Sequence, residues 1–220
     1  MKVTENLYFY PEKGMLDSNS FVIKSNSSII IDPGSPQFLE ALIRDLERDG
    51  IQPESIDIIV NTHLHGDHCW ANDAFREISG ARVLCHHLQK RFLDVTVVET
   101  ANFFGMPPME FTEDGYLDGT VMDLGDVELE LIPSPGHSPD SICFYCHKDR
   151  FLICGDVIFN QNTGRVDLPG GSARELKQSI DRLSQLPVEY LLPGHMDILA
   201  GAEKVERNFG FVREYVLKWL

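Results

Sequence analysis

The chain has 220 residues, of which 43% are hydrophobic and 24% charged, proportions that fit one globular domain able to bury its own core. Its 34 acidic residues outnumber the 19 Lys and Arg, giving a formal net charge of -15. That balance speaks against nucleic acid or an anionic membrane surface as a partner, because both demand a basic footprint.

In chain order, Leu7–Tyr10, Phe21–Lys24 and Ser28–Asp32 are short apolar runs bounded by Gly, Asn, Ser or Pro, and they predict strands. Between Gln37 and Asp49, apolar residues at Phe38, Leu42, Ile43 and Leu46 have helical spacing, closed by Gly50. Ile56–Asn61 predicts a buried strand that runs into THLHGDH, with a helix starting near Cys69. Arg82–Cys85 predicts another strand. Gln89–Tyr116 is less regular, with Pro107-Pro108 as a breaker, and predicts one or two helices and a loop. Strands follow over Val127–Ile132, Ser141–His147, Arg150–Cys154 and Glu189–Leu192, with helices over Ser172–Leu186 and Gly201–Leu220. No Pro/Gly/Ser-rich linker divides the chain, so residues 1–220 are expected to form a single α/β domain.

The cysteines Cys69, Cys85, Cys143, Cys146 and Cys154 are odd in number and lack the spacing of a disulfide framework. The opening MKVTENLYFYPEKG lacks the apolar run and cleavage site of a secretory signal. Both point to a reducing, cytoplasmic location. No stretch approaches the roughly 18 apolar residues of a membrane span.

His63, His65, Asp67 and His68 form H-x-H-x-D-H directly after a strand. Imidazole nitrogen suits zinc or iron, and a carboxylate adds charge compensation. His63 and His65, two apart in an extended segment, point the same way. Asp67 and His68, at a turn into a helix, are placed to serve a second ion. The ordinary alternative, a polar surface loop, poorly explains four ligand-type residues in six positions. His137 in SPGHSPDS, Asp156 in LICGDVIF and His195 in LLPGH each follow an apolar strand, so all can converge on one sheet edge. Gly136 and Gly194 precede the two histidines and allow close backbone approach.

The order H-x-H-x-D-H, PGH, GD, PGH resembles the metallo-β-lactamase-fold superfamily from about Phe21 to His195. The resemblance implies an αβ/βα sandwich, two mixed sheets flanked by helices, with a binuclear metal site at one edge. It implies His63, His65 and His137 at one ion, Asp67, His68 and His195 at the other, and Asp156 bridging. Two divalent ions are the implied cofactors, zinc first, with iron or manganese as alternatives. GRVDLPGGS, Gly164–Ser172, is similar to the glyoxalase II-like branch, whose members include hydroxyacylglutathione hydrolases and persulfide dioxygenases. His65, where flavodiiron proteins have a glutamate, and Asp156, where some lactamases have a cysteine, argue against those branches. Two features depart from glyoxalase II. Cys69-Trp70-Ala71-Asn72 follows D-H in place of small glycines, and, with Leu220 one helix past His195, a separate glutathione-binding domain is not expected.

The implied activity is hydrolysis of a small thioester or ester by a hydroxide held between the ions, with Asp67 as the catalytic carboxylate that orients it. Asp32, in IIIDPG, has two readings: partner to a ligating histidine, or turn-former before Pro33-Gly34. Arg165 and Asp167 read most simply as an ion pair that shapes a loop; the functional alternative is Arg165 facing an anionic group of the substrate. Cys143-x-x-Cys146 lies mid-strand, where positions three apart face opposite sides, which disfavours a dithiol. Phe103–Phe111 reads as core, or as a lid over the cleft. The expected partner is a small molecule, with no nucleic acid and no membrane. A homo-oligomer whose neighbour covers the cleft would restore the wall that a second domain supplies elsewhere. Three other functions compete: a persulfide dioxygenase with one iron on His63, His137 and Asp156; a lactonase or β-lactam hydrolase; and a metal-binding protein without turnover. Seven ligands count against the last, because a structural zinc site is closed by four.

Overall fold

The computed structural model describes residues 1–117 and 119–220. One sheet takes its strands in sequence order: β1 (Leu7–Tyr10), β2 (Ser20–Ile23), β3 (Ile29–Ile31), β4 (Ile58–Val60), β5 (Arg82–Cys85) and β6 (Gly115–Tyr116). β1–β3 pair antiparallel and β3–β6 parallel. The second sheet contains β7 (Val121–Asp123), β8 (Glu128–Pro133), β9 (Ile142–Cys146), β10 (Phe151–Gly155), β11 (Tyr190–Pro193) and β12 (Leu199–Ala200), also in sequence order. It is antiparallel except for the parallel β10/β11 pair.

Strand alternation sorts the apolar residues into layers. Phe21, Ile23, Ile29 and Ile31 face inward against Phe144, Cys146, Phe151 and Ile153 of the other sheet. Val22, Ile30 and Ile59 face outward under α1 (Leu39–Arg48) and α3 (Asn72–Ser79), meeting Leu42, Leu46 and Phe75. Cys143, Tyr145 and Leu152 face outward beneath α6 (Ala173–Leu183) and α7 (Ala202–Phe211), meeting Leu176, Ile180 and Phe209. The result is the expected helix–sheet–sheet–helix sandwich. Cys143 and Cys146 lie on opposite faces of β9, in different core clusters.

Several elements differ from the sequence expectation. The helix expected near Cys69 begins at Gly66 as α2 (Gly66–Cys69), with His65 still extended at its N-cap, and α3 restarts at Asn72. The irregular stretch becomes α4 (His87–Arg91), a π-helical turn (Asp94–Glu99) and α5 (Thr100–Phe103). The run Val95-Thr96-Val97-Val98 is β-branched, which disfavours tight α-helical packing and suits a widened turn. The expected terminal helix is α7 followed by a π-turn (Val212–Val216) and a 3-10 turn (Leu217–Trp219). The edge strands β6, β7 and β12 lie outside the sequence expectation; each is two or three residues long, too short for periodicity to identify.

The topology also sets where loops gather. β3 and β4 are parallel, as are β10 and β11, and β8 runs in the direction of β10 because both are antiparallel to β9. The C-terminal ends of β3, β4, β8, β10 and β11 therefore lie along one edge. Asp32, the His63–His68 motif, His137, Asp156 and His195 follow those five ends.

Candidate metal centre

All seven residues of the motif set come together at that edge. His63 Nε2 and His137 Nε2 lie 3.0 and 2.9 Å from His65 Nδ1. Beside them, His195 Nε2 is 3.2 Å from Asp67 Oδ2 and 3.4 Å from Asp156 Oδ2. His68 Nε2 is 3.4 Å from Asp156 Oδ1, and His137 Nε2 is 3.6 Å from Asp156 Oδ2. Asp156 thus faces both groups of histidines. Three overlapping sets, His63/His65/His137, His63/His68/Asp156 and Asp67/His68/His195, have donor atoms within 4.8 Å of one another.

Four of the five histidines are oriented by a partner on the far ring nitrogen. His137 Nδ1–H donates to the Arg165 carbonyl oxygen (2.7 Å), leaving Nε2 with a lone pair toward the centre. His68 Nδ1 is 3.0 Å from Asp32 Oδ2, and His195 Nδ1 is 2.7 Å from Glu12 Oε2. The Thr62 hydroxyl donates to Asp32 Oδ2 (2.7 Å) and stands 3.1 Å from His63 Nδ1, so it accepts from that ring. His65 is the exception: it presents Nδ1, and its Nε2 is buried without a partner. Such second partners set tautomer and ring angle in metal sites.

Asp32 is fully buried, with a left-handed backbone (φ 55°), a conformation aspartate tolerates. It sits at the turn into Pro33-Gly34 and also contacts the His68 ring. At Gly194 a Cβ would collide with Asp156 Oδ1 and with the His68 ring. At Gly136 (φ 145°) it would strike the backbone of Leu176 in α6.

The electrostatics divide the site. Burial, reinforced for His63 and His65 by neighbouring imidazoles, pushes His63, His65 and His137 down, His65 to about 3, which keeps their nitrogens neutral. Burial also opposes charge on His68 and His195. There the carboxylates outweigh it: Asp32, Asp67 and Asp156 push His68 up to about 10, and Asp156 with Asp67 push His195 up to about 12. Burial resists ionisation of Asp67 and Asp156, but His68 and His195 hold both carboxyls below the ordinary range. The pocket is therefore built around a demand for positive charge. The buried, unpartnered His68 Nε2 and Asp156 Oδ1 aim into the same gap. Neutral imidazoles beside carboxylates around such a gap fit a divalent cation.

Arg165 lies at the cleft rim with its guanidinium bound by Asp167, Nε to Oδ1 at 2.6 Å and Nη2 to Oδ2 at 2.7 Å, the loop-shaping pair expected. Trp70, Phe104, Met106 and Met109 line a cleft of about 450 Å³ over the donor cluster. Phe103 and Phe104 are more than half exposed, so the start of the Phe/Met-rich segment borders the cleft instead of filling the core. His86 caps α4 and His87 stacks on Tyr116, and neither lines the cleft. Glu12, Thr62 and Asp140 escaped the sequence reading. Asp140, fully buried, accepts the N–H of Leu64, the residue between His63 and His65 (3.0 Å). Thr62 carried a signal, its position directly before the motif; Glu12 and Asp140 carried none.

The sequence pattern of the metallo-beta-lactamase superfamily matches residues 14–195. The chain is 34% identical to Probable metallo-hydrolase MJ0888 of Methanocaldococcus jannaschii, over 82% of this chain and 88% of that one. It is 30% identical to hydroxyacylglutathione hydrolase GloC of Haemophilus influenzae, over 77% of this chain and 80% of that one. The crystal structure of BLEG-1 B3 metallo-beta-lactamase superposes with a TM-score of 0.77 at 28% identity, covering 95% of this chain and 97% of that one. The two mixed sheets, the donor residues gathered at their common edge and a pattern match over most of the length lead to one conclusion: the chain belongs to the metallo-beta-lactamase superfamily.

Proposed function

We propose that this chain is a binuclear metal-dependent hydrolase of a small thioester or ester. The observation that carries this reading is the convergence of seven donor side chains, with Asp156 facing both groups, at the floor of one cleft. In this reading His63, His65 and His137 hold one ion, Asp67, His68 and His195 the other, and Asp156 joins them. When bound, two divalent ions, zinc first among the candidates, supply a nucleophile at neutral pH and positive charge for the developing oxyanion.

The protein's own part is orientation. Asp67, whose Oδ2 stands 3.2 Å from His195 Nε2, offers a carboxylate oxygen that would accept a hydrogen bond from the nucleophile and orient it toward the carbonyl. Glu12, Asp32, Thr62 and the Arg165 carbonyl keep four imidazoles turned inward. The likeness to MJ0888 and GloC supports hydrolysis as the reaction class.

The test is metal analysis of freshly purified protein alongside hydrolysis of S-lactoylglutathione and of a simpler thioester. Two ions per chain and thioester turnover abolished by chelation are expected. One iron per chain with oxygen consumption would replace this reading with persulfide dioxygenation through His63, His137 and Asp156.

A further inference from the structure

The cleft above the donor cluster has a chemical character of its own. One wall starts at the centre itself: Leu64, between His63 and His65, packs with Val97 and Cys69 in a small buried cluster joined by the half-buried Met109. The wall continues along the π-helical turn and α5. There the hydroxyls of Thr96 and Thr100 already donate to the Phe92 and Val95 carbonyls, so neither has its proton free for a ligand. At the mouth, Leu16 and Phe104, each 52% exposed, turn apolar surface toward the opening.

Charge is scarce beyond the centre. Among the described residues that line the cleft, Arg165 is the only Lys or Arg, and the Asp167 carboxylate holds its Nε and Nη2 and offsets its charge. With that charge offset, the rim offers little to the carboxylates of a peptide-like thiol, and the chain as a whole carries a net charge of -15.

We infer that the substrate is uncharged and lipophilic, its acyl group lying along the Leu64–Val97–Met109 wall under Phe104. The inference rests on the hydrolase reading and specifies its substrate class. The wall begins beside the reacting centre, so a chain bonded to the reacting carbon meets apolar surface at once. Each methylene moved from water onto such a wall contributes enough for about a three- to fourfold gain.

The experiment uses the metal-loaded protein and acetyl, butyryl and hexanoyl thioesters of the neutral thiol N-acetylcysteamine, with hexanoyl-glutathione for comparison. Calorimetry of acetate and hexanoate gives a readout independent of turnover. We expect kcat/KM to climb about three- to fourfold per methylene, hexanoate to bind correspondingly tighter than acetate, and the glutathionyl ester to gain nothing over the neutral one. Ala101, in α5, lines the same cleft, and in Ala101→Trp, where an indole takes up that space, the hexanoyl-to-acetyl ratio should fall by about tenfold. A flat acyl series with hexanoate bound no tighter than acetate would overturn the lipophilic slot and leave the hydrolase reading standing. No thioester turnover, with hexanoate still preferred, would overturn the hydrolase reading and leave the slot.

Discussion

His195 Nδ1 lies 2.7 Å from Glu12 Oε2, across 183 positions of sequence, and the other oxygen of Glu12 accepts the Met196 N–H at 3.1 Å. The loop after β1 thereby grips the PGH loop after β11 by side chain and backbone together. Removing the carboxylate frees the imidazole to rotate. Glu12→Ala is expected to lower metal affinity or turnover by about 10–100-fold, with Glu12→Gln retaining more of both. Metal content after dialysis against a graded chelator series checks this; unchanged retention in Glu12→Ala would show that His195 needs no such support.

Asp67→Asn keeps the shape of the side chain and removes its charge beside His195 and His68. Turnover should fall by about 10–100-fold or more, with at most partial loss of metal. Steady-state kinetics at saturating metal is the measurement. Near wild-type rates would take Asp67 out of the reaction path.

Chelation should lower the melting temperature without unfolding the protein at room temperature. The three large core clusters do not depend on the centre, and His68 and His195 can hold protons among the carboxylates when no cation is there. A ligand at a hundred times its Kd adds about 2.7 kcal/mol, which is about 5–10 °C for a chain of this size. Calorimetric scans with and without chelator test it, and identical melting temperatures would contradict occupancy of the site.

Asp140 makes a pH prediction. Burial pushes its carboxyl up to about 6, while the Leu64 N–H works the other way. A folded-state pKa above the unfolded value means that its favourable contribution is complete below about pH 4 and is lost as pH rises through about 6. Relative to Asp140→Asn, the wild type should lose about 2–3 kcal/mol of stability over that interval. Denaturant titrations of both proteins at several pH values would reveal it. Parallel stability curves would place the proton elsewhere.

Much of the site was legible from residue order. H-x-H-x-D-H and the two PGH segments follow apolar strands, and strand ends in a parallel arrangement share an edge, so ligand-type residues there are forced toward one another. Cys143 and Cys146 could be assigned to opposite faces because strand alternation is local. The Arg165–Asp167 pair was legible for the same reason, being two residues apart.

What the sequence by itself determined, then, was the donor set and the layered alternation of apolar residues, both carried by short-range spacing. The tertiary structure alone decided that Glu12 and Asp140 brace those donors and the backbone between them. Glu12 reaches His195, and Asp140 reaches Leu64, only because two sheets close on each other and bring distant loops within hydrogen-bonding distance. It also decided that Phe104 and Met109 border a cleft: an apolar side chain reads the same whether it faces a core or an opening. The edge strands β6, β7 and β12 belong with these. An edge strand forms because a neighbour offers unpaired backbone groups, and that offer exists only once the rest of the sheet has assembled.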